Sequence, residues 1–469
     1  MLIIIKNFWN ILLIALMGLF IFILFFHINQ IPFASSDESR HGVSALEMIY
    51  NHNYIINSWA GQPDMWNLKP ILSFLPTCLM ILLFGKSILA IRLFSLLCAI
   101  FLCNLVCYYT IKKYNIYTAI LFISLLFTTS LLIRNHAFRS GDIDSFFILC
   151  QITATLSLAT KYDHFHITLA AFFSSLAFLA KSWHALFLGL PFLISYGYLI
   201  KSHRFNIKAI LYPVICFSLP ILIWLGIRYQ YDGFAFIKEM VRYDLIKRSS
   251  HMIENHIHGW NYFIKILFNN FGLIFLTFIF SIFYSYKYRK KHFLTYDIII
   301  YLSAILSSLL IYSMAKTKLY HYGYTHIILI CLVTSILIGR DINKYTRYFI
   351  IILSFIAVIF AFTNLHKISS IHLPDYYYQL QKNAYPKYNT LYVPQHIEQN
   401  ERLAIMVFGN FNYDKIKYGK PISKALVFYR DQGNDNSDIN RCHPITEKVT
   451  ELKNKHNQNE ISLFSCKNL

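Results

Sequence analysis

Runs of about twenty apolar residues alternate with short polar breaks along the first three-quarters of the chain, a pattern that predicts a bundle of membrane-spanning helices. The first run covers 8–28 and is longer than the core of a cleavable signal peptide, so it is expected to remain as an anchor. Further spans are expected near 87–109, 116–133, 145–160, 167–180, 185–200, 209–226, 261–284, 294–314, 322–339 and 348–363, which makes about eleven. The run at 70–84 differs, because it is short and carries Pro70 and Pro76. It is expected to lie in the interface or re-enter rather than cross. From about residue 364 the pattern becomes polar, with β-prone runs at 403–408, 425–429 and 461–464 and turn residues such as Gly433, Asn434 and Asp435. This predicts a transmembrane domain over 1–363 followed by a small α/β domain over 364–469.

Composition agrees with an α-helical polytopic membrane protein: 56% of residues are hydrophobic and 14% charged, with a mean hydropathy of +0.45. The formal charge of +20 does not point to nucleic acid, since no binding motif for it is present and basic residues gather in the cytoplasmic loops of membrane proteins. With 70–84 not crossing, the basic breaks all fall on one side: Lys112 and Lys113; Lys161; Lys201, Arg204 and Lys208; Lys287, Arg289, Lys290 and Lys291; Arg340, Lys344 and Arg347. That side is the inside by the positive-inside rule. The amino terminus is then inside, and two acidic segments, the segment 228–260 and the tail are outside.

The acidic segments carry the chemistry. Asp37-Glu38 follows the first span and Arg139-Ser140-Gly141-Asp142-Ile143-Asp144 opens a later one; carboxylates at such depth are costly and persist mainly where a site uses them. The same face collects Arg40, Asn67, Lys69, Arg248, Lys316, Lys318, Tyr320 and Tyr322. Fixed cations beside carboxylates suit transfer from a phosphorylated lipid, whose departing phosphate needs charge stabilisation and whose incoming hydroxyl needs a base.

Plainer roles stand beside these. Asp37 and Asp142 also suit helix caps, and capping is the favoured role for Asp142. Lys69, Lys316, Lys318, Tyr320 and Tyr322 also suit interfacial anchoring, although lysine excess is not expected on an outer face. His256 and His258 lack metalloprotease spacing and read as surface polar residues. Trp59, Trp66, Trp183 and Trp260 belong first to an aromatic belt. Of nine cysteines, seven lie in apolar runs; the other two, Cys442 and Cys466, lie in the tail and are expected to pair as a disulfide outside the cell membrane.

Four segments in order, Asp37-Glu38-Ser39-Arg40, Asn67-Leu68-Lys69-Pro70, Arg139-Ser140-Gly141-Asp142-Ile143-Asp144 and Lys316-Thr317-Lys318-Leu319-Tyr320-His321-Tyr322, resemble the GT-C glycosyltransferases of the protein O-mannosyltransferase and ArnT-like (lipid A aminoarabinose transferase) group, over roughly residues 1–340. Each segment alone is unspecific; their order and spacing carry the resemblance. It implies a GT-C fold of about eleven transmembrane helices plus juxtamembrane helices in the bacterial inner membrane. The implied enzyme takes a sugar from a polyprenyl-phosphate donor on the extracytoplasmic side and passes it to a lipid or protein acceptor such as lipid A. Carried over, Asp37 and Asp144 become the catalytic carboxylates, Arg40 and Lys69 cations near phosphate, and Lys318 with Tyr322 the later Lys-Leu-x-x-Tyr element. Arg248 falls on the long outer loop. Glu38, Arg139, Asp142, Lys316 and Tyr320 complete the expected substrate- and phosphate-binding set. Leu68 stands where the aminoarabinose enzymes usually have an acid, and Tyr320 where they usually have proline. These departures leave the sugar, the acceptor and any divalent metal undecided. A transporter or lipid flippase is the rival class; it predicts ionisable residues near mid-span and matched broken helices, whereas here the charges gather at one surface.

Overall fold

The computed structural model describes residues 2–251, 258–288, 294–383, 389–393, 397–418, 425–430, 443–444 and 461–466. His256 and Cys442, and with Cys442 the expected disulfide, lie outside the described residues. The chain divides into two compact units: residues 1–26, 68–73 and 95–370 form the first, and residues 27–67, 74–94 and 371–469 the second.

The first unit is helical. It contains α1 (Leu2–Phe25), most of α4 (Ile88–Lys113), α5 (Ile116–Phe127), α6 (Ser130–Arg134), α7 (Asp144–Thr160), α8 (His164–Lys181), α9 (Gly189–Lys201) and α10 (Lys208–Asp232). The short α11 (Ala235–Glu239) and α12 (Arg248–Ser250) follow, then α13 (Tyr262–Asn270), α14 (Gly272–Tyr288), α15 (Tyr296–Met314), α16 (Tyr324–Gly339) and α17 (Lys344–Ser369). Among the described residues, seven helical segments are long and apolar enough to cross a bilayer, and an eighth if α13 and α14, bent by 100°, count as one. This is a polytopic membrane protein.

Local chemistry sets the helix ends. Asn115 accepts the Thr118 N–H (3.0 Å) at the start of α5, and Asp163 accepts the His166 N–H (3.0 Å) at the start of α8. Asn343 and Thr346 form a reciprocal capping box on α17. The expected span 116–133 breaks at Phe127. Thr128 and Thr129 turn their hydroxyls onto the carbonyls of Leu125 and Leu126 (both 2.6 Å), a local bond that competes with the helical ladder; the chain resumes as α6. The segments expected at 167–180 and 185–200 are α8 and α9, separated by a 3₁₀ turn at Ser182–Leu188.

Every residue of α16 is buried, because it packs among α5, α14 and α15. A methyl group added at Gly339 would sit 2.5 Å from the Thr118 hydroxyl and 3.0 Å from its Cα, so glycine allows α16 and α5 to touch. At the end of the bundle that carries the basic breaks, Asp297 accepts bonds from Arg340 (2.8 Å) and from the hydroxyls of Tyr114 and Thr295, with Lys113 3.5 Å away. Three helices, α4, α15 and α16, are tied at one carboxylate. Asp297→Ala is expected to lower stability by about 2 kcal/mol by stranding Arg340, a loss visible as earlier unfolding of the detergent-solubilised protein.

The second unit holds α2 (Asp37–Tyr50), a hairpin of β1 (Ser58–Trp59) and β2 (Gln62–Pro63), α3 (Leu75–Phe84), α18 (Asp375–Asn383), α19 (Gln399–Phe408) and a five-stranded sheet. The strands are β3 (Leu391–Val393), β4 (Ile416–Tyr418), β5 (Ala425–Arg430), β6 (His443–Pro444) and β7 (Ile461–Cys466), in the order β4-β3-β5-β7-β6. Strand β3 runs parallel to β4 and β5, whereas β7 is antiparallel to β5 and β6. The β-prone runs at 425–429 and 461–464 are therefore strands. The run at 403–408 is not: it forms the end of α19, whose first turn is fixed by a capping box between Glu398 and Glu401. The core joins Val43, Leu46, Phe74, Ile91, Tyr377, Leu391, Leu403 and Met406. A methyl at Gly42 would lie 2.8 Å from the Leu403 side chain, so α2 and α19 meet closely there. With ten residues, α3 is about 15 Å long and too short to cross, as expected for 70–84.

Candidate active site

In the first unit, Asp144 occupies the first position of α7 and is buried. Its Oδ1 accepts the ammonium of Lys181, from the last turn of α8, also buried. Apolar packing of α7 on α8 brings the two together, and each charge offsets part of the cost of burying the other. The Lys181 ammonium also faces the ring of Tyr322 (5.2 Å) and that of Phe147 (5.9 Å). Tyr322 is packed by His184 at its edge (4.6 Å) and by Tyr312 (5.8 Å), and its hydroxyl is 3.5 Å from Arg248 Nη1.

Arg248 is positioned by its backbone. Its carbonyl accepts the Thr317 N–H (3.3 Å), and the neighbouring Ser249 carbonyl accepts the Lys316 N–H (3.2 Å). The Arg248 guanidinium pairs with Asp244 (3.2 Å). Lys318 is buried and donates to the carbonyls of Ala315 (2.5 Å) and His258 (3.4 Å). Burial and then the charge of Lys316 lower its pKa from the ordinary lysine value. Lys316 itself is exposed.

Asp142 faces elsewhere. Its Oδ2 accepts the Ser140 hydroxyl (2.8 Å) and lies 3.1 Å from His136 Nδ1, while its carbonyl accepts the Ser95 hydroxyl (2.6 Å). The His136 ring stacks on His321 (4.6 Å) and meets Tyr320 edge-on (5.7 Å). Among the described residues of this unit, His136 and His321 could each offer a ring nitrogen to a divalent cation, with Asp142 beside His136 as carboxylates stand beside ligating histidines. Arg139 donates to the carbonyls of Ile23 and Phe26 (2.6 Å to the latter), so two of its donors close the carboxyl end of α1. Lys69 is half-buried, in the short segment whose Ser73 hydroxyl donates to the Ala180 carbonyl (2.5 Å). A cavity of about 260 Å³ opens among α8, α9 and α10, with an apolar lining that includes Ala171, Leu186, Phe192 and Phe217.

In the second unit, Asp37 is the half-buried first residue of α2, after Ser36 at φ 81°. Glu38 is buried and takes Arg92 in a bidentate pair (2.7 and 2.9 Å) and the Ala34 N–H (2.6 Å). Arg92 continues to the carbonyls of Ile28, Ile31 and Pro32, fixing the turn that presents Asp37. Arg40 is also occupied. Asp64 binds it in a bidentate pair (2.9 and 2.7 Å), and its guanidinium lies 4.3 Å from the ring centre of Trp59 and 4.4 Å from that of Trp66. That geometry anchors the hairpin.

Sequence reasoning singled out Asp144, Arg248 and Tyr322, which share one neighbourhood in the first unit. It passed over Lys181, Arg92 and Asp64. Lys181 had a signal, being a cation at an end of an apolar run expected to face outward, against the usual bias. Arg92 had one too, as a charge inside an apolar run.

The first unit is thus a helical bundle with carboxylate and cation pairs at its helix ends, and the second a small mixed α/β unit. No protein family matches the sequence, and no curated protein matches it. Among solved structures the chain is similar to ArnT from Cupriavidus metallidurans bound to undecaprenyl phosphate, with a TM-score of 0.69 and 10% identity over 97% of this chain and 98% of that one. It is similar to the apo state of the same protein, at the same score and identity over 98% of both chains. The apo oligosaccharyltransferase of Archaeoglobus fulgidus matches with a TM-score of 0.51 and 10% identity, over 88% of this chain and 64% of that one. The chain has the GT-C fold.

Proposed function

We propose that the protein is a glycosyltransferase that moves a sugar from a polyprenyl-phosphate donor to an acceptor on the outer face of a bacterial cytoplasmic membrane. The observation that carries this reading is the end-to-end likeness to a protein crystallised with undecaprenyl phosphate. Support comes from Arg248 at the Tyr322 hydroxyl (3.5 Å), beside the Asp144–Lys181 pair, a setting that suits a phosphate group. The apolar cavity beside Lys181's helix suits part of a polyprenyl chain.

In the proposed reaction the bond between the anomeric carbon and the phosphate oxygen breaks, and one from that carbon to the acceptor oxygen forms. The polyprenyl phosphate leaves with the electron pair, stabilised by Lys69 and Arg248. With a hydroxyl acceptor, Asp37 takes the proton; with a phosphate acceptor no base is needed and Asp37 positions it. Asp144, neutralised by Lys181, shapes the wall around Tyr322. Lys316, Lys318 and Tyr320 serve the head group more remotely.

The test is reconstitution of the purified protein in vesicles with a labelled polyprenyl-phosphate sugar and envelope lipid extract. Label is expected to pass to an acceptor with stoichiometric release of polyprenyl phosphate. Movement of intact donor across the bilayer without transfer would instead favour a flippase.

A further inference from the structure

The loop 57–67 is pinned at most of its polar points. The Asp64 N–H donates to the Asn57 carbonyl (2.9 Å), and the Asn57 side-chain amide donates to the carbonyls of Asp64 (3.3 Å) and Asn67 (3.0 Å). Asp64 Oδ1 accepts the N–H groups of Trp66 (3.0 Å) and Asn67 (3.2 Å) while the same carboxylate holds Arg40. Asn67 is therefore fixed through both its backbone groups. It is also 5% exposed.

Its side chain, like the Ser58 hydroxyl in the same loop, is unmatched. The Nδ2 amide group of Asn67, with two donors, has no acceptor among the described residues. A buried donor left unmatched destabilises the fold, and no slack in this backbone explains it. Such residues persist where an arriving group completes the bond. Asn67 also lies two residues before Lys69 in the chain.

We infer that the side-chain amide of Asn67 contacts the substrate, donating a hydrogen bond to an oxygen of the sugar-phosphate head group. The inference rests on the proposed transfer reaction and adds a recognition residue to it. The oxygen belongs either to the phosphate, which only accepts, or to a sugar hydroxyl, which both donates and accepts.

Transfer kinetics and thermal unfolding of the wild type, Asn67→Ala and Asn67→Asp, all in vesicles with a polyprenyl-phosphate sugar, test this. Asn67→Ala is expected to lower kcat/KM roughly 10- to 100-fold with an unfolding temperature equal to or above that of the wild type, because removing an unmatched buried donor costs the fold nothing. Against a phosphate oxygen, Asn67→Asp falls below Asn67→Ala through repulsion. Against a hydroxyl it keeps partial activity, since a carboxylate accepts the hydroxyl's proton. Wild-type kcat/KM in Asn67→Ala, or a loss that follows a fall in unfolding temperature, overturns the role of Asn67 alone. A wild type that neither transfers nor binds polyprenyl phosphate overturns the reaction and this inference together.

Discussion

Lys181→Met is expected to destabilise the protein by about 3–5 kcal/mol, because it leaves the carboxylate of Asp144 buried without its cation. Asp144→Asn alone strands the ammonium of Lys181 in the same way. The double variant carries no buried charge at this point, so most of the loss should return. A double-mutant cycle read by thermal unfolding in detergent measures the coupling; losses that simply add would show that the two side chains act independently. The cycle also separates structure from chemistry. If the pair only shapes the wall around Tyr322, the refolded double variant regains part of the transfer rate.

Asp37→Asn and Lys69→Ala are expected to behave in the opposite way, losing transfer while the protein stays inserted and abundant. Each removes a charge from a half-buried rather than a fully buried position, where an ion pair contributes less than one deep in the fold. The reaction has more at stake. Losing a group that faces developing charge costs on the order of a hundredfold to a thousandfold in rate, and removing a proton acceptor costs a comparable factor. The comparison is made at equal protein level with the labelled donor. Near-wild-type rates in both variants would remove these residues from the proposed chemistry. A loss confined to Asp37→Asn with hydroxyl acceptors, and absent with phosphate acceptors, would identify Asp37 as the base.

Hydrophobic periodicity made the bundle legible, since a bilayer demands long apolar helices and leaves few other solutions. The charged segments at the helix ends stood out for the same reason. What stayed hidden was pairing at a distance. Glu38 stood out in the sequence, but the Arg92 that holds it lies 54 positions on. Arg40 looked like a phosphate cation, but Asp64 and two indoles occupy it. Such partners are chosen by packing, which a linear pattern does not display. The run at 403–408 misled differently: short apolar runs suit a strand or a helix equally, and the deciding signal was the glutamate pair at 398 and 401, just upstream. Likewise the two threonines at 128 and 129 ended α5 by a local bond that hydropathy does not register.

The core of the second unit is assembled from stretches far apart in the chain: the Phe33 N–H meets the Tyr377 hydroxyl across 344 positions, and α2 lies against α19. During synthesis the part of α2 that faces α19 must therefore wait, uncovered, while the ribosome makes nearly all of the helical bundle. Only when the last hundred or so residues emerge does a partner exist to close it, and such long-range closure is slow. For much of its production the nascent protein thus presents a sticky surface. Chains cut short after α17 would keep that surface permanently, which makes them natural clients for chaperones and membrane proteases.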